Sequence, residues 1–313
     1  MAKKKSSLPY ATFLKKYPVL SLIGNTPLVE IDLFKSLAPA LKVFLKCEWM
    51  NPGGSLKDRP VREMLLAALH EKKLKKGKTI LDSSSGNAGI AYAMIGAALG
   101  FPVEIVIPGN ASSERFKRLA AHGAIVTKTD PMLGYDEALR TAHRLYEADP
   151  QKYYMPDQYR NPHNWQAHYH FTAGEILKQT KGKVSHFVCG VGTGGSITGI
   201  GRRLKKFNKK IQVVRVVPER FPGIEGLKPL GEPEDIVPEI FDPTVVDREI
   251  SVSIEEAADY CQRLAHRGIF AGQSTGAYLK AVEVLAKQKT KGVVVTLGCD
   301  TGERYFSTRL WDV

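Results

Sequence analysis

A repeated alternation of short apolar runs with longer helical patterns constrains this 313-residue chain most strongly. The pairs are residues 79–85 with 87–99, 102–108 with 112–123, 124–130 with 135–148, and 186–192 with 195–207. Strands that alternate with helices form parallel sheets, because the return to a parallel strand needs a helix-length connection that covers the sheet. The sequence therefore predicts an α/β protein with mostly parallel sheets in three α/β/α layers.

One break in this pattern predicts two domains. Residues 148–165 (ADPQKYYMPDQYRNPHNW) are rich in Pro, Asn, Asp and Tyr and separate a first set of β-α units from a second. We expect an N-terminal domain over residues 1–150 and a C-terminal domain over residues 151–313. The first ~45 residues could pack on the second domain.

The formal net charge of +13 is compatible with nucleic-acid binding or with attraction of small anions. No RNA-binding signature accompanies the lysine clusters, so we expect no nucleic-acid partner. The longest uncharged stretch, residues 83–103, contains five Gly or Pro residues and is interpreted as a buried helix followed by a strand, not a membrane span. The N-terminus has no apolar signal segment, which favours a cytoplasmic location.

The four cysteines (Cys47, Cys189, Cys261 and Cys299) are widely spaced and form no C-x-x-C pair. This spacing indicates neither a zinc cluster nor a disulfide framework, so we expect reduced, buried thiols and no metal site.

The stretch CGVGTGGSITG, residues 189–199, has the pattern of a strand, a glycine turn and a helix start. Gly190, Gly192 and Gly195 match the dinucleotide fingerprint G-x-G-x-x-G, with Glu219 in the place of an acidic ribose ligand. The same loop could instead hold one phosphate monoester on the N–H groups of the helix start. Several β-α units precede the loop, whereas a dinucleotide fingerprint usually follows the first strand of its domain.

A second motif, NPGGSLKDRP at residues 51–60, places Lys57 between a turn and a helix. Most lone lysines are solvated surface charges. At a helix start, however, the helix dipole disfavours the ammonium form, and Schiff-base chemistry needs a neutral amine.

Two further helix starts carry polar side chains. In DSSSGNAG, residues 82–89, the side chains of Ser84, Ser85 and Asn87 together with free N–H groups suit a carboxylate, although N-capping is the alternative interpretation. Residues 272–286 (GQSTGAYLKAVEVLA) alone indicate only an N-cap. Hydride transfer needs no Schiff-base amine, so the set argues against a dehydrogenase.

Together these motifs resemble the fold-type II (β-family) pyridoxal-phosphate enzymes, in the branch of cysteine synthases and cystathionine β-synthase. The resemblance rests on an ordered series of stretches: IGNTPLVEI, NPGGSLKDR, SSGNAG, SSERFKRLAAHGA, DQYRNPHNWQAHYHFTAGEI, GVGTGGSITG, GIFAGQSTGA and CDTGERYFST. The last stretch and PERFPGIEGLKPL are most similar to the B-type cysteine synthases, which use O-acetylserine or O-phosphoserine. The implied fold is that of the tryptophan synthase β-subunit.

The resemblance implies pyridoxal 5'-phosphate as the cofactor. Lys57 would be the catalytic lysine that forms the internal aldimine, Asn87 would bind the 3'-oxygen, and Ser274 would face the pyridine nitrogen. The phosphate would be bound by the glycine loop, which consists of Gly192, Thr193, Gly194, Gly195 and Ser196. A serine at the ring nitrogen draws less negative charge into the ring than a carboxylate would, which suits β-elimination.

The substrate residues implied by the resemblance are those of the loop Ser84, Ser85, Gly86, Asn87 and Ala88, with Gln158 for the α-carboxylate. Ala88 departs from the family pattern T-S-G-N-T and lacks a hydroxyl. Arg220 and Lys228 lie in a segment near the expected leaving group, and we expect them to favour a phosphate over an acetate; the alternative is that both are surface charges.

The implied reaction replaces the β-substituent of an O-activated L-serine by a sulfur nucleophile through an aminoacrylate. Other β-replacement or β-elimination reactions, such as those of cystathionine β-synthase or serine/threonine dehydratase, are alternatives, as is a catalytically silent binding homologue. The expected partners are a small amino-acid substrate, a sulfur donor that could be a sulfur-carrier protein, and a second copy of the chain in a homodimer. No membrane partner is expected.

Overall fold

The computed structural model describes residues 11–84, 86–233 and 235–312. Strands within these residues are β1 Leu28–Ile31, β2 Leu41–Cys47, β3 Thr79–Ser83, β4 Val103–Pro108, β5 Ile125–Thr129, β6 Tyr153–Tyr154, β7 His186–Gly190, β8 Gln212–Pro218, β9 Arg248–Val252 and β10 Gly292–Gly298. The α-helices are α1 Ala11–Lys16, α2 Pro18–Ser21, α3 Asp58–His70, α4 Asn87–Leu99, α5 Ser113–Ala121, α6 Gly134–Ala148, α7 Pro162–Ala167, α8 Ala173–Gln179, α9 Gly195–Phe207, α10 Ile254–Ala265 and α11 Gln273–Lys287. A π-helical segment, His168–Thr172, joins α7 to α8.

The strands form two sheets. One has six strands in the order β1-β2-β10-β7-β8-β9, and the other has four in the order β5-β4-β3-β6. All strand pairs are parallel except β1 with β2. The predicted α/β class with mostly parallel sheets is therefore confirmed.

Burial explains why these strands read as continuous apolar runs. Every residue of β3 and β4 is buried, as expected where helices cover both faces of a parallel sheet. Ten of the thirteen residues of α4 are buried too, which accounts for the long uncharged stretch as a core helix rather than a membrane span. No helix within the described residues is long and apolar enough to cross a membrane.

Strands from both sides of residue 150 take part in each of the two sheets. β1 and β2, from the start of the chain, pair into the six-stranded sheet, and β6, which follows residue 150, pairs with β3 in the four-stranded sheet. The division into residues 1–150 and 151–313 stays a prediction.

Candidate active site

A cavity of about 620 Å³ lies where the carboxyl ends of strands from both sheets meet. Its walls include residues at or just after the ends of five strands, namely Ser84, Pro108, Gly190, Glu219 and Cys299. The carboxyl ends of parallel strands are the usual place for a ligand, because the following loops and helix starts face the same crevice.

The cavity brings together most of the residues singled out in the sequence. Those that line it are Lys57, Ser84, Asn87, Ala88, Gln158, Gly192, Thr193, Ser196, Arg220, Lys228 and Ser274. Gly86, Gly194 and Gly195 lie in the adjoining turns without lining it. Ser85 lies outside the described residues.

Lys57 immediately precedes α3, as the sequence pattern predicts. The side-chain amide of Asn51 donates to the carbonyls of Glu48 (2.7 Å) and Ser55 (3.2 Å) and so braces the preceding turn. Burial lowers the pKa of Lys57 from 10.5 to about 8. The direction is the predicted one, but its main cause is burial rather than the helix start.

A buried network of charges fixes the start of α3. Arg59 Nε lies 2.5 Å from Glu48 Oε2, and Arg59 Nη1 lies 2.8 Å from Glu175 Oε1 on α8. Lys46 Nζ on β2 lies 2.6 Å from the other oxygen of Glu175. Two cations thus balance two carboxylates and tie the segment that carries Lys57 to the six-stranded sheet side of the molecule.

The loop after β3 uses Ser84 to open α4. The Ser84 hydroxyl oxygen accepts hydrogen bonds from the N–H groups of Gly86 (3.0 Å) and Gly89 (2.8 Å). This is capping, the alternative interpretation of the motif, yet the Ser84 proton remains available to a ligand because a hydroxyl both accepts and donates. Ala88 is buried and offers no hydroxyl at the first turn of α4.

Asp82 ties Gln158 to this loop. The Gln158 Nε2 group donates to the Ser83 carbonyl (2.8 Å), and the Gln158 N–H donates to Asp82 (3.3 Å). Asp82 also accepts from the Tyr92 hydroxyl (2.6 Å), and burial raises its pKa to about 7. Asp82 was not singled out in the sequence, since its role depends on Gln158, which is distant along the chain.

Asn87 is held from the opposite side of the cavity. Its Nδ2 group donates to Asp300 (2.7 Å), and its Oδ1 atom accepts from Arg304. Asp300 also accepts from the Tyr305 hydroxyl (2.9 Å). These contacts connect the first residue of α4 to the segment that follows β10.

In the glycine loop, which connects β7 to α9, neighbouring atoms leave no room for a Cβ at three of the glycines. Gly194 has a φ of +79°, and a Cβ there would lie 2.6 Å from the side chain of Phe241. A Cβ at Gly195 would overlap the side-chain amide of Asn164, and one at Gly192 would lie 2.5 Å from the Gly226 carbonyl oxygen. The Asn164 amide also donates to Thr193 Oγ1 at 3.0 Å. Packing therefore favours glycine at these three positions, and Gly192, Thr193 and Ser196 of the loop line the cavity.

Ser274 is the second residue of α11 and lines the cavity beside Cys299. The Cys299 N–H donates to Thr275 Oγ1 at 3.0 Å, which holds the end of β10 against the start of α11. Burial raises the pKa of the Cys299 thiol well above its usual value, so Ser274 has neutral surroundings on this side.

Comparison with known proteins identifies the family. Residues 19–300 match the family described as pyridoxal-phosphate dependent enzymes. The chain belongs to this family. It is 48% identical over 301 residues to a cysteine synthase of Aquifex aeolicus, with 94% of this chain and 91% of that protein covered. It is 38% identical over 293 residues to cysteine synthase B of Escherichia coli, with coverage of 91% and 93%. A crystal structure of a cysteine synthase (OASS) from Entamoeba histolytica superposes with a TM-score of 0.87 at 31% identity and covers 94% of this chain and 90% of that one.

The cavity fits the cofactor of this pyridoxal-phosphate enzyme. The turn from β7 into α9 offers the free N–H groups of a helix start, which suit a phosphate, and Gly192, Thr193 and Ser196 of this turn line the cavity. A lysine with a pKa near 8 lines the same cavity and suits bond formation with an aldehyde. Family membership gives pyridoxal phosphate, a phosphate monoester, as the cofactor rather than a dinucleotide.

Arg220 and Lys228 line the cavity but are engaged with carboxylates. Arg220 forms two hydrogen bonds with Asp235, at 3.0 and 2.9 Å. Lys228 Nζ lies 2.7 Å from Asp136 at the start of α6. Neither Asp235 nor Asp136 lines the cavity, so both cations are paired from outside it.

Sequence reasoning missed a further cation in the cavity wall, Arg115 on α5. Its side chain is buried, lines the cavity, and forms an ion pair with Glu225 from the segment after β8. The stretch SSERFKRLAAHGA was noted as part of the family resemblance, but nothing in it indicates which cation faces the cavity. An inspection of the helical phase of α5 could have selected Arg115, because it shares the buried face with Leu119 four residues later.

The four cysteines form no disulfide bond. All four cysteines are free and buried. Within residues 11–84, 86–233 and 235–312, no group of three or more His, Cys, Asp or Glu side chains is arranged to hold a metal ion.

Proposed function

We propose that this pyridoxal-phosphate enzyme is a cysteine synthase, which replaces the β-substituent of O-acetylserine or O-phosphoserine by a sulfur nucleophile. The observation that carries the proposal is that one cavity is lined by Lys57, by Ser274, by Gly192, Thr193 and Ser196 of the glycine loop, and by Ser84, Asn87 and Ala88 around the start of α4. Relatives of nearly full length that are named cysteine synthase support the same reaction.

In this proposal the cofactor is held from both sheets. Lys57 Nζ would bind it covalently, and the N–H groups of Gly192 to Ser196 would bind its phosphate. Asn87 would hydrogen-bond the 3'-oxygen, and Ser274 would face the pyridine nitrogen. The bound cofactor supplies an electron sink that stabilises negative charge at the substrate Cα.

Lys57 Nζ also moves the proton of the reaction. With the amino-acid substrate bound, the Lys57 amine would be the base that accepts the Cα proton. A pKa near 8 keeps a useful fraction of this amine neutral at physiological pH. Ser84, Gln158 and the start of α4 would orient the substrate through its carboxylate, a role that the resemblance also implies for Ser85.

Ser274 places an uncharged hydroxyl, rather than a carboxylate, at the ring nitrogen in this proposal. Its hydroxyl can donate to or accept from the ring nitrogen but carries no charge, so it does not favour a protonated ring as a carboxylate would. Less negative charge would then be drawn into the ring, which suits loss of the β-substituent.

The assembly and location are proposed with less direct support. The sequence resemblance favours a homodimer and a cytoplasmic location. The sulfur donor is proposed to be sulfide, thiosulfate or a sulfur-carrier protein.

Product analysis tests the proposed reaction. The holoenzyme is incubated with O-acetylserine or O-phosphoserine together with sulfide, with homocysteine, or with no nucleophile, and the products are separated by chromatography. Cysteine as the main product with sulfide is the expected result. Cystathionine or pyruvate as the main product would overturn it in favour of the β-replacement or β-elimination alternatives. Lys57→Ala should abolish turnover, with Lys42→Ala, an exposed lysine on β2, as the matched control.

A further inference from the structure

We infer that Arg115 is a specificity-determining residue that binds the anionic leaving group of the amino-acid substrate. Until the substrate binds, the Glu225 carboxylate occupies the position of that leaving group beside Arg115. The inference rests on the proposed function and names the residue pair that selects the substrate by charge.

The position of Arg115 is the first argument. Its side chain is 2% exposed yet lines the cavity, and its guanidinium lies 5.2 Å from the centre of the Tyr305 ring, which lines the cavity as well. A Cβ on Gly86 would overlap the Arg115 side chain, so the guanidinium lies directly against the substrate loop. Arg115 is thus placed beside the reacting substrate and not at the outer rim.

The hydrogen-bonding state of Arg115 is the second argument. No acceptor among the described residues receives a hydrogen bond from its Nε atom. A guanidinium is a permanent cation with five donors, and a buried donor without an acceptor is costly. The geometry leaves donor capacity for an oxyanion, and the planar fork of Arg matches a phosphate or a carboxylate.

The partner of Arg115 is the third argument. Among the described residues, the basic side chains that line the cavity are those of Lys57, Arg115, Arg220 and Lys228. Asp235 and Asp136 neutralise Arg220 and Lys228 from outside the cavity, whereas Arg115 is paired with Glu225, which lines the cavity itself. The Glu225 side chain is 29% exposed, so it can turn toward solvent when another anion takes its place.

The charge of the leaving group determines which substrate Arg115 favours. A phosphate monoester carries nearly two negative charges at neutral pH, whereas an acetyl ester has none until acetate departs. Arg115 should therefore favour O-phosphoserine, and Glu225 should oppose it because the displaced carboxylate remains nearby. The α-carboxylate is common to both substrates and cannot alter this preference.

The test compares two substrates in matched variants. The ratio of kcat/KM for O-phosphoserine to that for O-acetylserine is measured with sulfide as the nucleophile for wild type, Arg115→Gln, Glu225→Gln and the double variant. We expect the ratio to fall about tenfold in Arg115→Gln and to rise about tenfold in Glu225→Gln, as a charge-assisted hydrogen bond implies. The double variant should return toward wild type. Arg263→Gln, which removes an exposed arginine paired with Asp259, serves as the control.

An equal loss on both substrates with an unchanged ratio would overturn the inference and assign Arg115 to the α-carboxylate. Calorimetric titration of the holoenzyme with inorganic phosphate and with acetate gives an independent readout, with about tenfold weaker phosphate binding expected in Arg115→Gln. If wild type makes no cysteine from either substrate, the proposed function fails, and the phosphate titration still decides the role of Arg115. Should Arg115→Gln fold poorly, the half-buried Glu225→Gln provides the same test with the opposite sign.

Discussion

The lowered pKa of Lys57 leads to a quantitative prediction about how the protein captures its cofactor. Burial brings this pKa from 10.5 to about 8. At pH 7 roughly 9% of such an amine is neutral, against roughly 0.03% for an ordinary lysine, a difference of about 300-fold. Because only the neutral amine attacks an aldehyde, apoenzyme should take up pyridoxal phosphate far faster than a free lysine does at the same pH.

The assay is the rate of cofactor uptake by apoenzyme, followed by absorbance between pH 7 and pH 10. Because the folded protein disfavours the protonated amine of Lys57, the neutral amine dominates above pH 8. The rate should rise about tenfold per pH unit below pH 8 and level off above it. Nα-acetyl-lysine, the matched control, should show a rate that continues to rise through pH 10.

A rate for the protein that still rises tenfold per unit between pH 9 and pH 10 would refute the reasoning, because it would show that Lys57 titrates like an exposed lysine. Lys57→Ala should lose the rapid phase and the cofactor that borohydride fixes to the protein, while Lys42→Ala should retain both.

Three other changes test the architecture of the site. Gly195→Ala should weaken pyridoxal-phosphate binding at least tenfold in equilibrium dialysis, whereas Gly174→Ala, where an added Cβ meets no atom within 4 Å, should leave it unchanged. Arg59→Met should lower the urea-measured free energy of unfolding by about 3–5 kcal/mol because it leaves the buried Glu48 carboxylate without its cation, whereas Glu175 keeps Lys46. Arg140→Met, from an exposed ion pair, should cost less than about 1 kcal/mol, and equal losses would contradict this. Ala88→Ser should lower KM for the amino-acid substrate about tenfold by adding a donor for its carboxylate, and an unchanged KM would place the carboxylate elsewhere.

The fold was predictable as far as local patterns extend. Each of the four apolar runs became a strand and each following helical pattern a helix, because periodicity and length are properties of the segment itself. The order of strands was not predictable: β10 forms near the end of the chain but lies between β2 and β7 in the sheet. The side-chain patterns of these strands do not specify which neighbour each one pairs with.

In the candidate site, too, some features of single residues follow from the local sequence and others depend on tertiary contacts. The places of Lys57 before α3, Ser84 before α4 and the glycine loop before α9 follow from the local sequence, and all of them line or adjoin one cavity. The charge state of the cavity wall does not follow. Lys228 is paired with a carboxylate 92 residues away, and the cation paired within the cavity is Arg115.

By itself, then, the sequence determined the fold class, the helix starts and the residue types that face a phosphate and an amino acid. Only the tertiary structure decided how buried Lys57 is, which cations are neutralised from outside the cavity, and that Arg115 faces Glu225 within it. The physical reason is that propensity and helix-start geometry depend on neighbours along the chain. Desolvation and ion pairing depend on distances between segments, and those distances exist only after the two sheets have come together.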